Sequence, residues 1–136
     1  MATFVWPVRV YHEDTDGAGV VYYANYLKFM ERARTEWLRA RGFEQDALLR
    51  DRQLLFAVRR LEMDYYRPAR FNDRLDVVSQ VAHAGGASLT FAQTVRRTDS
   101  AELLCSARVK VACLDAGSFL ACRMPRDLLR EIIGDA

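Results

Sequence analysis

The residues best suited to chemistry form one short run, Asp14-Thr15-Asp16-Gly17-Ala18-Gly19-Val20-Val21-Tyr22-Tyr23. Two carboxylates and two glycines precede a helix-period pattern, which sets a carboxylate beside the unpaired backbone N–H groups of a helix start. That arrangement suits attack on a carbonyl. The carboxylate activates or supplies the nucleophile, and the N–H groups hold the oxyanion. An Asp- and Gly-rich turn ahead of a helix also serves as a plain cap. Spacing alone leaves both readings open.

Other reactive residue types are sparse. Cys105, Cys113 and Cys122 make an odd count, and the N-terminus lacks a basic segment followed by an apolar one, so a reducing, cytoplasmic setting is expected. On one extended strand, Cys105 and Cys113 would lie roughly 26 Å apart, too far for a disulfide. His12 and His83 stand alone, with no Cys-x-x-Cys or His cluster, so neither a metal nor a cofactor is implied. The net charge of +2 is too balanced to argue for a nucleic-acid partner. All basic residues except Lys28 and Lys110 are arginines, and Arg59-Arg60 and Arg67/Arg70 are local clusters suited to phosphate.

The chain has 136 residues, 51% hydrophobic and 28% charged, which describes one soluble globular domain spanning 1–136. No apolar run approaches the ~20 residues a membrane helix needs. Residues 4–11 alternate as a strand. From 23 to 41 the period becomes helical, with Tyr26, Phe29/Met30, Ala33 and Trp37 on one stripe and Gly42 as the stop. A short helical piece at 45–51 leads into strands at 54–66, 75–84, 87–97 and 102–114, and Pro125 opens a terminal helix at about 126–133. Gly85-Gly86 supplies a hairpin turn. Strand, long helix, then four strands with mostly short connections predict an α+β domain with an antiparallel sheet on one helix.

This order, with the motif from Asp14 to Tyr26, resembles the hotdog-fold thioesterases, in which a five-stranded antiparallel sheet wraps one long central helix. The similarity is to the YbgC-type acyl-CoA thioesterases, the group associated with the Tol–Pal envelope system and related to 4-hydroxybenzoyl-CoA thioesterase. It runs through V-R-V-Y-H-E-D-T-D-G-A-G-V-V-Y, E-R-A-R-T-E-W-L-R, F-A-V-R-R, D-Y-Y-R-P-A-R-F-N-D and G-A-S-L-T-F.

The resemblance implies hydrolysis of an acyl-CoA, or of the same thioester on an acyl carrier protein, to free acid and thiol. Asp16 is implied as nucleophile or general base, Asp14 as support, and the backbone N–H of Tyr23 as oxyanion donor. Gly17 and Gly19 would let the backbone approach the thioester, with Gly19 and Val20 among the substrate contacts. Val58, Arg59 and Arg60 fall on the segment beside the pantetheine tunnel, and Arg59, Arg60, Arg67 and Arg70 could meet coenzyme A phosphates. Ser88 matches a small hydroxyl residue that could orient the acyl carbonyl; an exposed strand serine is its bland alternative. Tyr65 and Tyr66 are expected to pack or line an interface. Many YbgC-type chains carry His where this one has Tyr23, so an imidazole scheme is excluded at that position. A homodimer paired through edge strands, or a homotetramer of two such dimers, is implied. The alternatives are a hotdog hydratase, for which the helix lacks a His, and a non-catalytic acyl-thioester-binding or envelope-associated module.

Overall fold

The computed structural model describes residues 2–134. The elements are β1 (Phe4–Arg9), α1 (Asn25–Ala40), α2 (Gln45–Arg52), β2 (Leu54–Tyr65), β3 (Arg74–Ala84), β4 (Ser88–Arg97), β5 (Leu103–Asp115) and α3 (Arg126–Gly134). All five strands pair antiparallel in the order β1-β3-β4-β5-β2. The sheet curls around α1 in the hotdog arrangement.

Helix α1 forms because its apolar residues repeat at three- and four-residue steps, and Tyr26, Phe29, Met30, Ala33, Trp37 and Leu38 are all buried. The Trp37 ring meets Phe91 of β4 edge-on at 5.0 Å. Gly42 ends the helix at φ +90°, a conformation that a Cβ would strain. The strands obey the period of two, and Leu89, Phe91, Gln93 and Val95 of β4 are buried against α1 while Ser88, Thr90, Ala92 and Thr94 alternate away. The polar pair Ser79 and Gln93 is wholly buried and mutually satisfied, Gln93 Nε2 donating to Ser79 Oγ at 2.9 Å and to the Met30 carbonyl at 3.1 Å.

One irregularity positions the site. Val58 pairs with Val111 and Arg60 with Lys110, leaving Arg59 as the extra residue of a β-bulge. The bulge flips the alternation, so Leu61, Met63 and Tyr65 stand opposite Val109, Ala107 and Cys105 and face α1 with Phe56 and Val58. Without it those three side chains would point outward and Glu62 and Asp64 inward. The predicted element boundaries hold to within two residues. The 54–66 strand, however, lies beside β5 at the far edge of the sheet, and not next to β3, which follows it in sequence.

Candidate active site

The Asp14–Tyr23 run folds as a tight hairpin that ends at α1. Thr15 bridges Val21, the Asp16 N–H donates to the Val20 carbonyl at 2.8 Å, and the Gly19 N–H donates to the Asp16 carbonyl at 3.1 Å. Gly19 takes φ +80°, the left-handed residue that closes a three-residue hairpin loop. Gly17 is different: its φ is not positive, and a Cβ there would meet nothing within 4 Å. Neither backbone conformation nor packing inside this chain demands a glycine at that position.

The two carboxylates differ in burial and in what they hold, Asp14 being half-buried. Asp14 Oδ2 accepts the Tyr11 N–H at 2.8 Å, and the Asp14 carbonyl accepts both the Tyr22 N–H and Asn25 Nδ2 at 2.9 Å. The Asp14 carboxylate thus caps the short turn that opens at Tyr11, while its main-chain carbonyl, through the Asn25 side chain, anchors the first residue of α1. Asp16 is exposed at the hairpin tip. Its Oδ1 accepts the Ala18 N–H at 2.8 Å, and its second oxygen has no protein donor among the described residues.

Helix α1 begins two residues later than the periodicity predicts, because Asn25 N–H donates to the Tyr22 carbonyl at 2.8 Å and holds Tyr23 and Ala24 in a turn. Among the described residues, the Tyr23 N–H donates to no protein acceptor, so it is open to a ligand oxygen. The Tyr23 carbonyl accepts a hydrogen bond from Tyr65 Oη at 2.9 Å, and the ring of Tyr65 lies against Tyr23 and Tyr26 with centroids 6.2 and 5.8 Å away. Tyr65, expected to pack or line an interface, thus fixes the peptide that enters the helix. Replacing Tyr65 by Phe is expected to lower kcat by about three- to tenfold with little change in KM, the equivalent of one neutral hydrogen bond. Steady-state kinetics with a wild-type control checks this.

The remaining sequence-predicted residues form a second group, away from the hairpin. Val58 is 52% exposed on the α1-facing side of β2. Arg59, on the bulge, is exposed and has no ion-pair partner among the described residues, whereas Arg60 pairs with Glu62 at 2.7 Å. Ser88 opens β4 on the side opposite Leu89, near Gly85, and so faces away from α1. The structure brings Gly19 and Val20 together with Asp16 in the hairpin, which a bridge between Val20 and Arg70 anchors, and sets Tyr23 at its other end where α1 begins; Ser88 lies on β4, outside this hairpin.

A cavity of about 300 Å³ lies between α1, α2, β2, β4 and β5. Trp37, Leu38, Phe56, Leu89, Phe91 and Val111 give it an apolar wall, and Val58 stands at its edge. Arg34 enters it from α1, with Nη1 donating to Gln93 Oε1 at 3.0 Å. Burial pushes the Arg34 pKa down, and nearby Glu31 partly offsets this. Sequence reading missed Arg34 because it sits one step off the apolar stripe. Two of the thiols are disfavoured as thiolate nucleophiles: burial pushes Cys105 up to about 12, and burial together with the Cys122 thiol, whose Sγ is 3.8 Å away, does the same to Cys113. No group of three or more metal-ligating side chains occurs among the described residues, and none of their helices is long and apolar enough to cross a membrane.

A hotdog sheet around one helix, with an acidic hairpin at the helix start, defines a thioester-processing class. The chain belongs to the thioesterase superfamily, whose profile matches residues 18–104, and it is a thioester hydrolase. It is 46% identical over 125 residues to the acyl-CoA thioesterase YbgC of Haemophilus influenzae, covering 92% of this chain and 90% of that one. Identity to the acyl-CoA thioester hydrolase YbgC of Escherichia coli is 43% over 128 residues, 94% of each chain. The crystal structure of a 1,4-dihydroxy-2-naphthoyl-CoA thioesterase from Synechocystis superposes with a TM-score of 0.90 at 25% identity, covering 97% of this chain and 96% of the other.

Proposed function

We propose that this protein hydrolyses acyl-CoA thioesters with Asp16 as the working carboxylate and the Tyr23 N–H as oxyanion donor. The observation that carries the reading is the division of labour in the hairpin. Asp14 is half-buried and its carboxylate closes the short turn at Tyr11, whereas Asp16 is exposed at the hairpin tip, on the loop that leads to the unpaired Tyr23 N–H at the helix entry. The names of the YbgC relatives support coenzyme A as the carrier.

In the general-base form, Asp16 takes a proton from water and the hydroxide adds to the thioester carbonyl. The Tyr23 N–H stabilises the oxyanion; collapse expels the thiolate, which is protonated to coenzyme A thiol as the acid leaves. In the nucleophilic form, Asp16 attacks directly and a mixed anhydride is then hydrolysed. The two share the same residues. Gly19 and Val20 line the approach to the carbonyl, Ser88 orients the acyl group or attacking water, and Arg59, Arg60 and Val58 border the pantetheine.

These two groups of residues meet when a second copy pairs along β2. This edge strand is 12 residues long and exposes Val58, Leu61 and Tyr65, a surface that calls for a partner. A cytoplasmic dimer, or a tetramer of dimers, with sites at the strand-paired interface is the assembly we infer. The test is thiol release across aliphatic and aromatic acyl-CoAs and acyl carrier proteins. Turnover of at least one acyl-CoA is expected; tight binding with no thiol release across the panel would leave a binding module instead.

A further inference from the structure

We propose that the cavity beside α1 selects acyl groups that end in a carboxylate, and that Arg34 binds that carboxylate. The inference rests on the acyl-CoA reading and names its substrate class.

Arg34 is a cation with donors to spare. Arg34 carries five N–H donors and uses one of them on Gln93. Among the described residues no carboxylate lies within ion-pair reach of it. Glu31 offsets the burial of this guanidinium only in part, and a half-buried guanidinium is unfavourable unless its remaining donors find acceptors. Its position is nonetheless fixed. Gln93 is wholly buried and its amide nitrogen is committed to Ser79 and Met30, so Oε1 points at Arg34 and holds the fork toward the cavity.

A purely structural partner for Gln93 needs only one donor. A planar fork of donors, held in a cavity whose wall mixes apolar side chains with the neutral polar Thr35 and Gln45, matches a carboxylate bidentately. Glu31 is the one acidic residue that lines the cavity; it is exposed at the rim, where solvent screens its charge. The volume of about 300 Å³ is roughly twice that of an engineered cavity that holds benzene, enough for a chain of about six carbons with its terminal carboxylate.

Binding of non-hydrolysable thioethers separates this inference from the catalytic one. The probes are S-hexyl-, S-(6-hydroxyhexyl)- and S-(5-carboxypentyl)-coenzyme A, titrated calorimetrically into the full chain and into Arg34→Met and Arg34→Lys. The wild type is expected to bind the carboxylate probe about 10- to 100-fold more tightly than the hexyl probe, with the hydroxyl probe between them. In Arg34→Met the preference disappears or reverses, and in Arg34→Lys part of it survives. Equal binding of all three probes by the wild type overturns the proposal, as does no binding of any. A uniform loss for all probes in both variants, or a change in their subunit number, likewise assigns Arg34 to structure. Failure of thiol release from true thioesters would instead overturn the hydrolase reading and leave the probe preference standing.

Discussion

Changing Asp16 to Asn is expected to lower kcat for thioester hydrolysis at least about 100-fold while KM changes little. The substitution is nearly isosteric, and its side-chain oxygen still accepts the Ala18 N–H, so the hairpin and its helix junction survive. It removes the negative charge and the basic oxygen that can take a proton from water or attack the carbonyl. Because Asp16 is exposed and its side chain makes no other hydrogen bond or ion pair among the described residues, the melting temperature should stay close to that of the wild type. A large kinetic loss without a stability loss identifies a residue working on the reaction, and steady-state thiol release beside a thermal melt measures both.

The largest stability effect is expected at Trp37. Its side chain is 2% exposed, packs edge-on to Phe91, carries the Arg41 guanidinium 4.0 Å above the ring and forms part of the cavity wall. Trp37→Ala removes these contacts and merges the void with the cavity, a loss of about 3–5 kcal/mol. Against a total of about 5–15 kcal/mol, that is a third or more of the stability of many domains. The midpoint of urea unfolding should fall accordingly, with an unchanged slope. Trp37→Phe keeps the edge contact and should lose less.

These two residues illustrate what the chain discloses on reading. Trp37 was legible because a helix face repeats every three or four residues and nothing else explains the stripe through Tyr26, Phe29, Ala33 and Trp37. The strand faces were legible for the same local reason. Strand order was not, since the placement of β2 beside β5 depends on contacts 40 to 61 residues apart in sequence, from Tyr65 with Cys105 to Leu54 with Asp115. The bulge at Arg59 was equally silent, although it turns Tyr65 inward to reach the Tyr23 carbonyl.

At the site, residue types marked both Asp14 and Asp16, and only the resemblance chose between them. Each carboxylate accepts one backbone N–H, and the physical distinction is position: Asp14 is half-buried and holds Tyr11, whereas Asp16 is exposed at the hairpin tip. Gly17 and Gly19 looked alike in sequence, yet only Gly19 adopts a left-handed conformation. Ser88 was correctly read as a strand residue, but the alternation that buries Leu89 turns it from α1. Arg34 escaped notice because its significance depends on Gln93, 59 residues away on another element.

The central claim is that Asp16 acts on the thioester while Asp14 holds the loop, and one paired measurement tests it: thiol-release kcat and melting temperature for Asp14→Ala and Asp16→Asn. Asp14→Ala should lower stability by about 0.5–2 kcal/mol, the usual effect of losing a cap, with a smaller kinetic loss than Asp16→Asn. Asp16→Asn should melt like the wild type and release thiol at no more than about 1% of its rate. Wild-type turnover by Asp16→Asn, or catalysis lost at Asp14 with stability intact, would contradict the assignment.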